Sequence, residues 1–439
     1  MSTDTNAGAD GAVSLEHFNP FSEAVQQCPH MYYRAMQEQA PVFHVEGTDL
    51  YLVTPHSMVT PILRDTQKYS SRFGSAGEPA KGDVVERIRE VLATGWPQVQ
   101  TMLTIDPPYQ TRYRGTVAPY FGPKRMAELR APIEAIVTRL IDNLPSGVFD
   151  AVPAFAVPLP IEAIAHVLNV PTDRLADFKR WSDDSIANIG TTITDDRRVD
   201  AYRGIVEFQH YFAEQLERRR NEPIGDLMSD LVQAQIDTDP AADGTPGVKR
   251  PLEMAEMLSI VQQLLVAGNE TTTKSITEGI RLLAENPAVF AKLQADPEGY
   301  APLVTEEVLR LTTPTQGMFR VVTEDTELGG VSIPKGSRLV VMYSAANRDR
   351  SVWGDDPDRF DPDRTNLKEH LAFGKGIHFC LGAPLSRVEM QVAFEQIGRR
   401  VEKIELADSN DFRYHPSFVL RGLVRLDVVI TKKEPAASL

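Results

Sequence analysis

The stretch at residues 373–382 reads Phe-Gly-Lys-Gly-Ile-His-Phe-Cys-Leu-Gly and carries one of only two cysteines among the 439 residues of the chain. Three glycines surround Cys380, and glycine permits tight turns and a close approach of other groups to the backbone. The residues that follow Gly382 show the apolar periodicity of a helix. We therefore expect Cys380 to lie on a tight loop at the N-terminus of a helix.

This placement of Cys380 has chemical consequences for its sulfur. The free backbone N–H groups and the dipole at a helix N-terminus stabilise negative charge. The loop therefore favours the thiolate, which is the form of cysteine that attacks electrophiles or ligates metals. The alternative is a buried cysteine that only packs in the core.

The pattern Phe373-x-x-Gly376-x-x-x-Cys380-x-Gly382, with His378 inside it, resembles the haem-binding loop of the cytochrome P-450 superfamily. The resemblance implies that Cys380 is the axial thiolate ligand of haem b, iron protoporphyrin IX. A thiolate ligand favours O–O cleavage at the iron.

The same resemblance implies the fold of the chain. We expect a mainly α single domain with small β-sheets over residues 20–431. A disordered segment at residues 1–19 would precede this domain, and a tail at residues 432–439 would follow it.

A long helix is the second landmark, because residues 251–285 keep a helical pattern well beyond the length of an ordinary helix. Residues 267–273 read Ala-Gly-Asn-Glu-Thr-Thr-Thr, although glycine and threonine are poor residues for a buried helix. Either Gly268 ends the first of two helices, or the helix opens locally so that small molecules and water enter its groove. In the second case Glu270 and Thr271 could pass protons.

The segment at residues 267–273 resembles the oxygen-binding helix of the superfamily. The resemblance implies that Glu270 and Thr271 deliver protons to bound dioxygen. Many members of the superfamily have Asp where this chain has Glu270, so the carboxylate is kept but its reach differs.

Glu307 and Arg310 are spaced to form an ion pair on one helix, although this spacing also occurs by chance in many proteins. They lie between the long helix and the cysteine loop. The resemblance implies that Arg359 completes a structural Glu-Arg-Arg network with them.

The sequence Asp106-Pro107-Pro108 predicts a helix start with Asp106 as the N-cap. Gln110 and Arg114 then fall on one face of that helix, where the plainest interpretation is an exposed polar pair. The resemblance implies instead that Arg114 holds a haem propionate, with Gln110 as a weaker candidate.

The resemblance implies further contacts to the cofactor. Arg320 and His378 would also hold the propionates. Phe373 and Gly382 belong to the binding loop, and glycine N–H groups near Cys380 would donate hydrogen bonds to its sulfur.

The composition narrows the class of protein. A formal net charge of −15 argues against a nucleic-acid partner, which requires a basic face. No apolar run approaches the length of about 20 residues that a membrane span needs, and residues 1–13 resemble no export signal. Two cysteines far apart in such a chain indicate reduced thiols and a cytoplasmic protein.

The resemblance implies a haem-thiolate monooxygenase that uses dioxygen to hydroxylate a medium-sized apolar substrate. The sequence contains neither a dinucleotide-binding fingerprint nor a cysteine set for an iron–sulfur cluster, so we expect electrons from a separate ferredoxin and ferredoxin reductase. Arg387 is the candidate docking residue for the ferredoxin, with an ordinary surface charge as the alternative.

Three other functions stay open from the sequence. Two keep the haem thiolate, as a sensor or as a peroxide-driven enzyme. The third is a cysteine hydrolase in which His378 acts as the base for Cys380.

Overall fold

A computed structural model describes residues 13–16, 18–74, 80–187, 189, 193–240 and 247–434. Helices dominate these residues and the strands form small sheets, which confirms the predicted fold class. The helices are α1 Glu23–Gln27, α2 His30–Gln39, α3 His56–Ile62, α4 Val84–Leu92, α5 Tyr109–Val117, α6 Pro123–Asp142, α7 Pro158–Leu168, α8 Leu175–Ile186, α9 Asp195–Asn221, α10 Leu227–Gln233, α11 Met254–Glu285, α12 Pro287–Ala295, α13 Pro297–Thr312, α14 Tyr343–Ala346, α15 Arg350–Trp353 and α16 Ala383–Arg400.

The strands are short. They are β1 Val42–His44, β2 Leu50–Val53, β3 Tyr69–Ser70, β4 Val148–Asp150, β5 Gln235–Asp237, β6 Lys249–Pro251, β7 Met318–Val322, β8 Thr326–Leu328, β9 Val331–Ile333, β10 Arg338–Val341, β11 Val401–Leu406 and β12 Asp427–Lys432. Short 3-10 or π turns lie at Ala118–Phe121, Val152–Ala156, Thr172–Arg174, Leu367–Glu369 and Gly376–His378.

The largest sheet has the strand order β1-β2-β10-β7-β3. Strands β1 and β2 form an antiparallel hairpin, β10 runs parallel to β2, and β7 pairs antiparallel with β10. In that last pair Arg320 lies opposite Leu339. The sheet thereby places Arg320 on a rigid strand inside the protein, where it is 3% exposed. Smaller sheets join β11, β12 and β4, then β5 and β6, and then β8 and β9.

Helix α11 is continuous from Met254 to Glu285, so the interpretation of this region as two helices is wrong. A capping box begins the helix, in which the Glu253 N–H donates to the Glu256 carboxylate over 2.7 Å. The backbone stays α-helical through Gly268. A side chain at Gly268 would begin 3.2 Å from Ile164 Cδ1, so the glycine lets α7 pack closely against α11.

The helical core surrounds α11, which packs against α7, α13 and α16. Helix α5 is fastened to the start of α11 through one carboxylate. The Tyr113 hydroxyl donates to Glu256 over 2.5 Å, and Arg250 donates two further hydrogen bonds to the same side chain. These bonds set the position of α5, which carries Gln110 and Arg114. No helix of the described residues combines the length and the apolar character that a membrane span requires.

Glu389 is an unusual residue in helix α16. It is 0% exposed, and neither carboxylate oxygen has a hydrogen-bond partner among the residues that the structure describes. Burial raises the pKa of the Glu389 carboxyl well above its ordinary value of 4.5. The side chain is therefore neutral in the folded protein over a wide range of pH.

Replacing Glu389 by glutamine should stabilise the fold increasingly as the pH rises. Below the unfolded-state pKa of 4.5 both states keep Glu389 neutral. Above it only the unfolded state ionises, so the wild type loses up to about 1.4 kcal/mol per pH unit until the raised folded pKa is reached. Glu389→Gln cannot ionise and avoids this loss.

Denaturant unfolding of the wild type and Glu389→Gln at about pH 5.5 and about pH 7.5 measures this difference. Glu402→Gln is the matched control, because Glu402 is exposed on β11. A difference between Glu389→Gln and the wild type that does not change with pH would show that Glu389 is ionised in the folded protein.

Candidate functional site

The cysteine loop is shaped by the short turn Gly376–His378, and α16 begins directly after it at Ala383. The Cys380 N–H donates to the Phe373 carbonyl over 2.9 Å and closes the loop. Gly376 has a φ of +77°, and a Cβ there would lie 2.3 Å from the Leu63 carbonyl oxygen. A larger residue at 376 would therefore both strain the backbone and displace the loop from the end of α3.

The environment of the Cys380 sulfur corrects one expectation. Burial raises the pKa of the Cys380 thiol, against the opposing effects of the Gly382 N–H, the Arg114 charge and the Ala383 N–H. The predicted stabilising groups are present, but desolvation outweighs them. The protein alone therefore does not favour the thiolate, and a positive partner for the sulfur would supply what is missing.

Phe373 and Arg387 belong to a cluster that braces the loop. The Arg387 guanidinium donates to both oxygens of Glu306, over 2.6 and 2.8 Å, and lies over the Phe373 ring at 4.6 Å. His370 Nε2 lies 3.0 Å from the same carboxylate. Although burial opposes the shift, hydrogen bonds from Arg387 and His370 lower the pKa of Glu306 to about 2. Arg387 is therefore held by Glu306 but stays 31% exposed, and its docking role stays a prediction.

Helix α5 starts differently from the prediction. It begins at Tyr109 after Pro108, and Asp106 is not its N-cap. The Asp106 carboxylate instead accepts hydrogen bonds from the Ser70 hydroxyl, over 2.5 Å, and the Ser71 N–H, over 2.7 Å. Asp106 thus ties the start of α5 to strand β3.

Gln110 and Arg114 are not the exposed polar pair that their spacing alone suggests. Gln110 is 1% exposed, and its amide donates to the Ile377 carbonyl over 3.0 Å. Arg114 Nη2 donates to the Phe379 carbonyl over 2.7 Å. Both side chains therefore support the carbonyl groups of the cysteine loop.

His378 belongs to the loop, and the charge of Arg320 on strand β7 acts on it. Arg320 Nη1 donates to the Phe319 carbonyl over 2.7 Å. His378 Nε2 lies 2.9 Å from Ser71 Oγ. Burial, followed by the Arg320 charge, lowers the pKa of His378 to about 4, so the imidazole is neutral near pH 7. Because His378 faces Ser71, it does not form the dyad with Cys380 that a hydrolase requires.

Two of the positive charges near the loop are not paired with a carboxylate. Within the described residues neither Arg114 nor buried Arg320 forms a salt bridge, and a buried unpaired charge is costly. These donors suit a ligand that brings carboxylates of its own, and Cys380 suits one that takes a sulfur ligand. The residues present therefore fit haem, whose propionates would pair with the two arginines.

One face of α11 is accessible to solvent around Ala267. Gln263, Ala267 and Thr271 follow each other at intervals of four residues, and Ala267 is exposed in the middle of a mostly buried helix. Thr271 Oγ1 donates to the Ala267 carbonyl over 3.1 Å. The hydroxyl of the next residue, Thr272, lies 3.1 Å from that of Ser386 in the first turn of α16. Through Thr272, the residue after Thr271, helix α11 therefore contacts the helix that starts directly after the cysteine loop.

Glu270 lies in a buried cluster of charges at the same level of α11. Its carboxylate contacts Lys274 over 2.6 Å and Lys179, of helix α8, over 3.2 Å. Although burial opposes the shift, the ammonium groups of Lys274 and Lys179 lower the pKa of Glu270 to about 2. Lys179 also pairs with Asp183, and burial raises the pKa of Asp183 to about 6. Sequence reasoning missed both lysines, although the spacing of four residues could have indicated Lys274.

Lys179 and Asp183 also line a surface pocket of about 450 Å³. The charged side chains of the cluster thus run from the protein surface to Glu270, next to Thr271. Groups of this kind can hand protons to one another when water joins them.

The predicted Glu-Arg-Arg network requires a correction. Glu307 and Arg310 are 0% exposed and pair over 2.7 Å, but the third arginine at this site is Arg364, whose Nε lies 3.3 Å from Glu307. Arg359 points outward, pairs with Asp361, and contributes only its backbone carbonyl as an acceptor for Arg310. Both arginines lie in one loop without helical or strand periodicity, so the sequence could not distinguish them.

Known proteins are similar to this chain in sequence. The family model of cytochrome P-450 matches residues 191–404. The chain is 35% identical over 405 residues to 6-deoxyerythronolide B hydroxylase of Saccharopolyspora erythraea, covering 90% of this chain and 94% of that protein. It is 30% identical over 416 residues to linalool 8-monooxygenase of Pseudomonas putida, covering 93% of this chain and 97% of that protein.

Solved structures share the fold. A cytochrome P-450 from Chondromyces apiculatus superposes with a TM-score of 0.79 at 34% identity, over 95% of this chain and 99% of that one. The haem domain of a cytochrome P-450 from Tepidiphilus thermophilus gives a TM-score of 0.83 at 26% identity, over 96% and 98% of the two chains. Sequence and fold agree along almost the whole length, and the chain therefore belongs to the cytochrome P-450 family.

Proposed function

We propose that this protein hydroxylates a medium-sized apolar molecule in the space beside the exposed face of α11. Its family consists of haem-thiolate monooxygenases that bind haem b. The observation that carries the proposal is the position of Thr271, on a face open at Ala267 and next to the buried carboxylate of Glu270. The apolar side chain of Ala267 on this face favours a substrate with little charge.

The residues around the loop would hold the cofactor. Cys380 would ligate the iron, and Gly382 and Ala383 would donate N–H groups to its sulfur. Arg114 and Arg320 would pair with the propionates, and neutral His378 would donate a hydrogen bond. When bound, thiolate-ligated haem supplies the activation of dioxygen and its O–O cleavage.

Gln110 and Phe373 would act through the loop. Gln110 already donates to the Ile377 carbonyl, so its support for the loop is better founded than a contact to a propionate. Phe373 is held under the Arg387 guanidinium and closes the loop through the Cys380 N–H. Both residues would fix the position of the sulfur.

Thr271 and Glu270 would supply protons for oxygen reduction. The Thr271 hydroxyl needs only to rotate away from the Ala267 carbonyl to donate into the open space. Lys179 and Asp183 link Glu270 to the surface pocket, and water would have to carry protons between Glu270 and Thr271. Hydroxylation consumes dioxygen, two electrons and two protons, and releases the alcohol and one water.

Replacing Thr271 by alanine should separate electron consumption from product formation. Without the hydroxyl, proton delivery is misdirected, and we expect the yield of hydroxylated product per electron pair to fall at least about 10-fold while hydrogen peroxide is released instead. Product, peroxide and reductant consumed are measured together.

Thr277→Ala is the matched control for Thr271→Ala. Thr277 makes the same kind of bond, to the Thr273 carbonyl over 2.9 Å, but is buried farther along α11. We expect its product yield to match that of the wild type. Equal yields from Thr271→Ala and the wild type would remove Thr271 from the mechanism.

The spin state of the haem iron provides a screen for the substrate. Entry of a substrate that displaces a water ligand changes the spin state, so a library of apolar compounds is screened by absorbance. The library includes 6-deoxyerythronolide B and linalool, for which two relatives are named. A compound that shifts the spin state and is then hydroxylated supports the proposal, and binders that are never oxidised would indicate a sensor.

The electron donor that we propose is a ferredoxin reduced by its reductase, in the cytoplasm. Turnover with this pair is compared with turnover with hydrogen peroxide at matched enzyme concentration. Faster turnover with ferredoxin supports the monooxygenase, whereas turnover with peroxide alone would indicate a peroxide-driven enzyme.

A further inference from the structure

Lys274 occupies a position that the proton supply described above does not require. It lies one helical turn after Glu270 on α11, and its ammonium group is 2.6 Å from Glu270 Oε2. The side chains are 9% and 8% exposed, so this ion pair is shielded from solvent. The second oxygen, Oε1, contacts Lys179 over 3.2 Å. Each oxygen of Glu270 therefore has its own lysine.

The C-terminal part of the chain makes room for Lys274. A Cβ on Gly422 would lie 2.2 Å from Lys274 Cγ and 2.8 Å from its Cδ, so any side chain at 422 would displace the lysine. The segment that carries Gly422 is held in place, since the His415 N–H donates to the Gly422 carbonyl over 3.0 Å. The methylene groups of Lys274 thus pack against the backbone at Gly422, which has no side chain and is held by the hydrogen bond from His415.

The two lysines differ in how they are attached. Lys274 shares a helix with Glu270, so no movement between elements can separate them. Lys179 belongs to α8 and also pairs with Asp183 at the edge of the surface pocket. A shift of α8 would release Oε1 and leave Oε2 bound. The titratable groups facing Glu270 are Lys179 and Asp183 from α8, Lys274 from α11 and His415 from the C-terminal segment.

We propose that Lys274 is a positioning residue that keeps the Glu270 carboxylate ionised and holds its Oε2 atom against α11. Only the other oxygen, Oε1, which faces Lys179, then takes part in proton transfer. This inference rests on the proposed role of Glu270 and Thr271. It assigns the two oxygens different tasks, one structural and one in the relay. Glu270 then stays ionised between turnovers and binds a proton only while it transfers it.

The first test observes the protonation of Glu270 directly in the haem-loaded protein. Infrared difference spectra are recorded at about pH 5 for the wild type, Lys274→Met and Lys274→Met/Glu270→Gln. We expect a carboxylic-acid band in Lys274→Met that is missing from the wild type and from the double variant. Because the charge of Glu270 also raises the pKa of Asp183, the three spectra are repeated with Asp183→Asn added, which removes the Asp183 band.

The second test measures product per electron pair across pH. Relative to the wild type, the yield of Lys274→Met should change at least about 3-fold between pH 5 and 8, because Glu270 now titrates in this range, whereas Lys274→Arg keeps the charge and should stay within about 2-fold. Gly422→Val keeps the lysine but displaces its stem, and should shift the profile in the same direction as Lys274→Met.

Turnover driven by hydrogen peroxide serves as the internal reference, because peroxide brings its own electrons and protons. It should be equal in the wild type and Lys274→Met at every pH. Lys274→Met without the infrared band and with the pH profile of the wild type would overturn the inference. A Thr271→Ala variant with unchanged yield would instead contradict the proposed function itself, so the two failures are distinguishable.

Discussion

Replacing Arg310 by methionine is expected to cost about 3–5 kcal/mol of folding free energy, because it removes the nearer counter-charge of the buried Glu307 carboxylate and all hydrogen bonds of the guanidinium. Arg310 donates to Glu307 over 2.7 and 2.8 Å and to the carbonyl groups of Asn347 and Pro357 over 2.8 and 2.7 Å. One side chain therefore joins α13 to the loop before the cysteine stretch. A loss of this size is a large fraction of the stability of a typical domain, so we expect a low yield of folded protein.

Two other arginines provide the comparison. Arg364→Met should cost less than Arg310→Met, since Arg364 is partly exposed and lies 3.3 Å from Glu307. Arg359→Met should change stability by no more than about 0.5 kcal/mol, because its side chain forms only an exposed pair with Asp361. Denaturant unfolding measures all three. A large loss in Arg359→Met together with none in Arg364→Met would restore the network expected from the sequence.

Replacing Cys380 by alanine is expected to abolish hydroxylation. The change removes the only side chain of the loop that can act as a thiolate ligand, while Phe373 and the glycines still shape the backbone. Electron flow and product are both measured, with haem content determined on the same sample. We expect no product above background from Cys380→Ala supplied with substrate and electrons.

Cys28→Ala is the matched control, since Cys28 is the other cysteine of the chain and is exposed. Its activity should stay within about 2-fold of the wild type, as for most surface substitutions. Product formation by Cys380→Ala at the rate of Cys28→Ala would mean that another residue carries the chemistry.

The local features of the site could be predicted because each leaves a dense pattern in the sequence. Glycines around Cys380 predict a tight loop, and the residues after Gly382 predict the helix that the structure places there as α16. The long apolar pattern predicts α11. Its continuity through Gly268 was not predictable, because it depends on α7 packing against the glycine from a distant part of the chain.

The contacts between residues far apart in the chain left no pattern in the sequence. Lys179 reaches Glu270 from a separate helix, and Arg364 reaches Glu307 from an irregular loop. The protonation of Cys380 was also beyond the sequence, because opposing effects of burial and of hydrogen bonds decide it. Sequence patterns indicate which groups are present, whereas the folded chain determines which of them meet and which effect on a pKa is larger.

The absorbance spectrum of the reduced wild-type protein under carbon monoxide tests the central claim most directly, because it reports whether a thiolate ligates the iron of bound haem. We expect purified protein to contain haem and to show the spectrum of a thiolate-ligated iron carbonyl, which Cys28→Ala keeps and Cys380→Ala loses. Protein that takes up no haem, or a thiolate spectrum that persists in Cys380→Ala, would contradict the assignment of Cys380 as the iron ligand.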